Sequence, residues 1–173
     1  YCIETGNSSD AFVHADNLLT GQFINGGQEQ FYLESQASIV YPEENDCLHV
    51  HVSAQHPTEV QHVVASALGL KQHQVVATVK RMGGGFGGKE SQSAHYAALA
   101  ALVAHKTKKP ARLVLSKDDD MIVTGKRHPF SNDYQVAFDN HGRLQALNVD
   151  FYTDGGAYID LTPAILQRAM FHV

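Results

Sequence analysis

Cysteine is scarce in this sequence, and its two cysteines, Cys2 and Cys47, lie far apart. Two thiols cannot supply the four ligands of an iron–sulfur cluster, and they form no Cys-x-x-Cys pair. We therefore expect reduced thiols in a cytoplasmic protein, and neither a disulfide framework nor a cysteine metal site.

The sequence also lacks an excess of basic residues and any long apolar run. The formal net charge is −5 and the isoelectric point is about 6.1, which argues against nucleic acid as a partner. No apolar stretch approaches the roughly 18 residues that cross a bilayer. The opening segment, YCIETGNSSDAF, has neither the basic nor the apolar region of a signal peptide. These patterns predict a protein that does not enter membranes.

Two features at the ends of the chain suggest a piece of a longer protein. The chain has no initiator methionine, and it stops at RAMFHV within an amphipathic segment. Helices are usually ended by a cap or a breaker, and none follows here. We expect a fragment.

Segments with the two-residue hydrophobic period of strands and segments with the helical period follow one another along the chain. This order predicts an α+β fold, a mixed sheet with packed helices. Together the elements are expected to form a single partial domain over residues 1–173. Strands are predicted within residues 17–27, 30–42, 48–55, 73–80 and 111–116, and as a hairpin within 132–153; helices are predicted within 57–70, 90–107 and from 163 onward. Thr58 and Gln61 fit a capping box for the first helix, and Gly69 fits its end. Residues 117–130 read as a polar connection.

A glycine cluster, KRMGGGFGGKE at residues 80–90, places five glycines and one phenylalanine in six consecutive positions. Gly83, Gly85 and Gly88 satisfy the Gly-x-Gly-x-x-Gly pattern that holds a pyrophosphate at a helix N-terminus. However, Lys80 and Arg81 separate the cluster from the preceding strand, and the next acidic residues lie about 30 positions downstream where about 20 is usual. A dinucleotide loop, a loop for another ligand and a structural turn all remain open.

Histidines and acidic residues offer no clear metal motif. His49 and His51 share one strand face without a carboxylate or thiol at ligand spacing, so we expect partly exposed side chains. The three aspartates at 118–120 read as a solvated loop. Glu90 follows the glycines at a helix start, where the dipole favours its charge, and Arg168 stands among apolar neighbours. Structural and functional roles are open for both.

Four motifs in order resemble the molybdenum–pterin-binding large subunit of xanthine dehydrogenases and oxidases. They are GGQEQFYLES at 26–35, RMGGGFGGKES at 81–91, GKRHPF at 125–130 and QRAMFH at 167–172. The sequence departs from that family at Gln30, where the family usually has histidine. Within the resemblance, Gln55 and Phe86 correspond to residues beside the molybdenum centre that do not ligate the metal. Gly85, Phe86 and Gly87 correspond to the cofactor-binding loop.

The same resemblance assigns Glu90 and Arg168 to purine binding. A carboxyl can hydrogen-bond ring nitrogens, and a guanidinium can stabilise negative charge that develops on the heterocycle. Aldehyde oxidases are similar in fold but usually lack this charged pair, which favours a purine substrate.

The resemblance implies a cytoplasmic molybdenum hydroxylase that oxidises hypoxanthine and xanthine to urate. Its molybdenum–pterin cofactor would work with [2Fe–2S] clusters and FAD on other domains or subunits, in an oligomer that includes the rest of the large subunit. The fragment alone is expected to be inactive. Two alternatives remain, an aldehyde or other N-heterocycle hydroxylase and a nucleotide-binding module that uses the glycine loop.

Overall fold

A computed structural model describes residues 1–173, whose Cα positions group into two compact units. Residues 1–28 and 128–173 form the first unit, and residues 29–127 form the second. Helices and strands occur together in each unit, which confirms the predicted α+β class. That residues 1–173 act as one partial domain stays a prediction.

Twelve helices and strands follow one another along the chain, and all except two of the helices correspond to predicted elements. In sequence they are α1 (Ser8–His14), β1 (Asn17–Asn25), β2 (Ala37–Pro42), β3 (Leu48–Val52), α2 (Pro57–Leu68), β4 (Val75–Thr78), α3 (Gln92–Thr107), β5 (Ala111–Val114), α4 (Lys117–Val123), β6 (Phe130–Phe138), β7 (Leu144–Thr153) and α5 (Thr162–Phe171). Short 3₁₀ turns at Glu44–Asp46 and Gln72–Gln74 complete the set.

In the first unit, β1, β6 and β7 form an antiparallel sheet with β6 in the centre. The predicted hairpin is confirmed: β6 and β7 pair throughout, and the Asp139 carboxylate accepts hydrogen bonds from the N–H groups of His141 and Arg143 across the turn. Gly142 has φ +78°, the left-handed conformation that such a turn requires. Helix α1 was not predicted; the Asn7 side chain caps it.

The second unit contains a sheet in the order β4-β3-β2-β5 with α2 and α3 packed on one face. Only β3 and β4 are parallel, and α2 connects them as the crossover. Leu48, Val50 and Val52 face the helices from β3, whereas His49 and His51 alternate to the other face. Both histidines are half-buried, as predicted, and their rings stack at 4.3 Å.

Helix α2 ends as predicted and begins differently. Gly69 adopts φ +66° as the C-terminal cap, the conformation in which glycine has no steric penalty. The predicted capping box is wrong, because His56 is the N-cap residue and makes no side-chain cap. The Gln61 amide instead donates to the carbonyl groups of Gln72 and Val75.

Two further predictions in this unit are wrong for a shared reason. The predicted polar connection at 117–130 contains α4, which Ser116 caps, and Asp120 in it is buried rather than solvated. The strand predicted from residue 30 begins only at Ala37. In the intervening stretch, the Tyr32 hydroxyl and the Gln36 backbone N–H donate to the buried Asp120 carboxylate.

Both cysteines are free thiols, as predicted. The structure contains no group of three or more histidine, cysteine, aspartate or glutamate side chains placed to hold a metal ion. None of its helices combines the length and the apolar character that a bilayer crossing requires.

Candidate cofactor-binding site

The glycine cluster folds into a tight loop between β4 and α3. Gly84 and Gly87 have φ values of +91° and +93°, and the N–H of Gly88 donates to the carbonyl of Gly85 at 2.7 Å. Phe86 lies between them with φ +51°, although it is not glycine. A positive φ costs energy for such a residue, and it occurs in tight turns and at functional sites. The Phe86 side chain is 63% exposed.

Close packing explains why Gly85 carries no side chain. A methyl group at Gly85 would lie 2.5 Å from Oε1 of Gln55, well inside van der Waals contact. Gly85 is buried, so the loop passes directly over the Gln55 amide. Gly85 is therefore required by the space that the Gln55 side chain leaves, whereas Gly84 and Gly87 are required by their positive φ values.

Gln55 fixes the second half of the loop. It follows β3, and its Oε1 accepts hydrogen bonds from the N–H groups of Gly87 at 3.0 Å and Lys89 at 3.1 Å. Its own backbone N–H donates to the Lys89 carbonyl at 2.8 Å. The structure therefore brings together the predicted residues Gln55, Gly85, Phe86 and Gly87, and their role toward a cofactor stays a prediction.

Glu34 and Lys89 fix the first half of the loop, and the sequence interpretation missed both. Glu34 Oε2 accepts hydrogen bonds from the Gly83 N–H at 2.8 Å and the Ser53 hydroxyl at 2.6 Å. The fully buried Lys89 ammonium lies 3.4 Å from the same oxygen. Burial alone would raise the pKa of Glu34, but these hydrogen bonds and the Lys89 charge outweigh it and lower that pKa.

A second polar cluster lies behind the loop. The Tyr32 hydroxyl donates to Asp120 at 2.5 Å, and the Gln36 backbone N–H donates to the other oxygen of that carboxylate at 2.6 Å. The Gln36 amide reaches the Gly88 carbonyl at 3.0 Å. Burial and then the hydrogen bond to Asp120 raise the pKa of Tyr32, so it stays a protonated donor. A charged residue inside the aromatic stretch QFYLES and another directly after the glycines were the available sequence signals for these clusters.

The two residues assigned to purine binding lie in different units. Glu90 is half-buried and immediately precedes Ser91, the N-cap residue of α3, in the second unit. Arg168 is exposed on α5 in the first unit. Their joint role stays a prediction.

The loop has the donors that a ligand rich in oxygen atoms requires. The N–H groups of Gly84, Gly85 and Phe86 have no hydrogen-bond acceptor within the chain. Buried backbone donors are nearly always paired, so the buried Gly85 calls for an external acceptor. Beside the loop, Oε1 of Gln30 is a buried acceptor that has no donor in the chain. Successive N–H groups of this kind form a concave site for anionic or oxo groups, so these residues fit a molybdenum–pterin cofactor.

Known proteins similar in sequence to this chain are xanthine dehydrogenases, the family that the four motifs resemble. Xanthine dehydrogenase from Calliphora vicina is 44% identical over 169 residues, which are 98% of this chain and 12% of that protein. Xanthine dehydrogenase/oxidase from Felis catus is 44% identical over 172 residues, 99% of this chain and 13% of that protein. The chain thus spans about one eighth of the length of these relatives.

Solved structures share the fold. An aldehyde oxidoreductase from Desulfovibrio gigas superposes with a TM-score of 0.85 and 26% identity over 94% of this chain and 18% of that one. Quinoline 2-oxidoreductase from Pseudomonas putida 86 has a TM-score of 0.76 and 25% identity over 87% of this chain and 19% of that one.

The sequence profile of the molybdopterin cofactor-binding domain matches residues 1–173. This match and the xanthine dehydrogenase relatives confirm the resemblance inferred from the four motifs. The chain belongs to the molybdopterin cofactor-binding domain family, and it is similar to one segment of the much longer xanthine dehydrogenases.

Proposed function

We propose that this chain supplies one wall of the molybdenum–pterin site in a molybdenum hydroxylase that oxidises purines. The observation that carries the proposal is the Gly83–Gly88 loop, which Gln55 and Glu34 hold in place and which leaves three N–H donors without an acceptor in the chain. The family profile and the xanthine dehydrogenase relatives support the same function. The [2Fe–2S] clusters and FAD would belong to other domains or subunits of a cytoplasmic oligomer.

The loop residues would bind and orient the cofactor. When bound, the molybdenum–pterin group supplies the redox chemistry of carbon hydroxylation, which protein side chains cannot perform. Gly84, Gly85 and Phe86 would donate backbone hydrogen bonds to its oxygen atoms. Fixed N–H dipoles of this kind stabilise negative charge without reorganising during the reaction. Gln55 would act by keeping the loop in register, since its Oε1 holds Gly87 and Lys89.

Glu90 and Arg168 would make the enzyme selective for purines. Glu90 is half-buried and would hydrogen-bond ring nitrogens, while the Arg168 guanidinium would stabilise negative charge that develops on the heterocycle. Simple aromatic aldehydes have no ring nitrogens for Glu90 and no heterocycle whose developing negative charge Arg168 could stabilise. Glu90 and Arg168 should therefore affect the turnover of purines and leave the turnover of aromatic aldehydes unaffected.

Steady-state kinetics of the complete enzyme tests this selectivity. At matched molybdenum content, we expect Glu90→Val and Arg168→Met to lower kcat/KM for xanthine by about 100-fold or more, which is about 3 kcal/mol of transition-state stabilisation. Turnover of an aromatic aldehyde should be unchanged or faster. Glu44→Val and Arg143→Met are matched controls at exposed positions. Equal losses for both substrates would show that Glu90 and Arg168 are structural.

Two alternatives are compared with this proposal: an aldehyde or other N-heterocycle hydroxylase, and a nucleotide-binding module. The likeness to an aldehyde oxidoreductase and a quinoline oxidoreductase favours an aldehyde or N-heterocycle hydroxylase as the second candidate. Rapid turnover of an aldehyde or of quinoline by the unmodified complete enzyme, with little turnover of xanthine, would favour it. The nucleotide-binding alternative needs an acidic residue for the ribose. Asp120 is buried and already bonded to Tyr32 and Gln36. We expect no NAD binding at Gly83–Gly88 by calorimetric titration.

A further inference from the structure

Lys89 carries a charge into the interior next to the glycine loop. Its side chain has 0% exposure, and lysine is almost never fully buried unless it is paired. The ammonium donates to the Ser53 hydroxyl at 2.7 Å, lies 3.4 Å from Glu34 Oε2 and stands 4.7 Å from the centre of the Tyr32 ring. Burial lowers the pKa of Lys89, and the Glu34 carboxylate opposes that effect. The cation therefore has one charged partner and two weaker ones.

The charged partner, Glu34, also contacts the first residue of the loop. The oxygen of Glu34 that faces Lys89 is the same Oε2 that accepts from the Gly83 N–H at 2.8 Å. Because the Glu34 side chain is 40% exposed, it has access to other rotamers in water. The buried ammonium and the Ser53 hydroxyl hold it on Gly83.

The backbone of Lys89 leads to the other end of the loop. Its N–H donates to Gln55 Oε1, which also holds Gly87. Its carbonyl accepts from the Gln55 N–H at 2.8 Å and from the Ser93 hydroxyl at 3.1 Å. One residue therefore joins the beginning of the loop, through its side chain, to the end of the loop, through its main chain.

We propose that Lys89 is a positioning residue that closes the glycine loop through Glu34 and thereby sets where the loop N–H groups lie. The proposed function enters this role only through the identity of the ligand that the loop would bind. The contacts by which Lys89 and Glu34 close the loop belong to the chain itself. Removing Glu34 leaves the buried Lys89 ammonium without its charged partner, removing Lys89 frees the partly exposed Glu34 side chain to leave Gly83, and removing both residues leaves no uncompensated buried charge. Lys89 and Glu34 should therefore be coupled.

The test uses the complete enzyme with Lys89→Met, Glu34→Gln and the double variant. Lys108→Met is the control, since it removes an ion pair with Asp46 that is exposed on both sides. Hydrogen exchange by mass spectrometry measures the amides of residues 80–90, molybdenum is quantified by metal analysis, and the Mo(V) electron paramagnetic resonance spectrum is recorded at matched metal content. Should Lys89→Met fold poorly, Ser53→Ala weakens the same contact without removing charge.

We expect at least tenfold faster exchange within 80–90 in each single variant, a smaller increase in Ser53→Ala, and no change in the control. The double variant should exchange no faster than the worse single variant, because the two residues share one contact. The Mo(V) signal should shift in the single variants. Unchanged loop exchange, or an increase spread evenly over the chain, would overturn the positioning role.

The outcomes also separate this inference from the proposed function. Faster exchange confined to 80–90, with molybdenum content and the Mo(V) signal unchanged, would support closure by Lys89 and overturn cofactor binding by the loop. Unchanged exchange with a shifted signal would overturn closure and leave cofactor binding intact.

Discussion

Gly85→Ala should disturb the loop through the Gln55 side chain. The added methyl group would lie 2.5 Å from Oε1 and 2.8 Å from Cδ of Gln55, so one of the two groups must move. Gln55 is exposed, and rotating its flexible side chain away relieves the clash at low cost. That movement removes the acceptor of the Gly87 and Lys89 N–H groups. Gln55→Ala removes the same acceptor without a clash.

The expected magnitude follows from these two hydrogen bonds. Each contributes a net stabilisation of about 0.5–1.5 kcal/mol, so losing both costs about 1–3 kcal/mol of local opening free energy. Amide exchange of Gly87 and Lys89 in the complete enzyme should then accelerate by about 5-fold to 150-fold, since 1.4 kcal/mol is a factor of ten. Gly26→Ala is the matched control, because a methyl group there meets nothing within 4 Å.

The double variant provides the decisive comparison. If Gly85→Ala acts only by displacing Gln55, then Gly85→Ala combined with Gln55→Ala should exchange no faster than Gln55→Ala alone. Additive effects would refute this reasoning and place the strain in the loop backbone. Unchanged exchange in Gln55→Ala would refute the role of the amide itself.

Three further predictions concern the polar clusters and the chain as a whole. Asp120→Asn should destabilise the Tyr32–Gln36 segment by about 1–3 kcal/mol, because a buried donor loses its charged acceptor; exchange of the Gln36 amide measures this, and exposed Asp118→Asn should leave it unchanged. The pKa of folded Glu34 lies below its ordinary 4.5, so ionised Glu34 stabilises the loop above about pH 4.5 and this contribution is lost as pH falls through the folded value. Glu34→Gln should flatten that acid dependence of amide protection, after correction for intrinsic exchange, and an equally steep loss would contradict the assignment. Residues 1–173 alone, about one eighth of their relatives, should retain little molybdenum in metal analysis; near-stoichiometric metal with xanthine turnover would contradict this.

Local sequence patterns determined most of the regular structure. The alternation in LHVHV fixed the inner and outer faces of β3, Gly69 fixed the end of α2, and Asn140-His141-Gly142 fixed the β6–β7 turn. Each of these depends on interactions between residues close in the sequence. The glycine loop and the three other motifs likewise identify the family from the sequence alone.

Only the tertiary structure decided which charges hold that loop. Asp120 looked solvated because its neighbours are acidic, yet it is buried beneath Tyr32. Lys89 looked like an ordinary charge after the glycines, yet it is buried against Glu34, 55 residues away in the sequence. Whether a charged side chain is solvated or buried depends on partners that folding brings from distant segments. Sequence spacing therefore located the loop, whereas burial and long-range pairing determined how it is held.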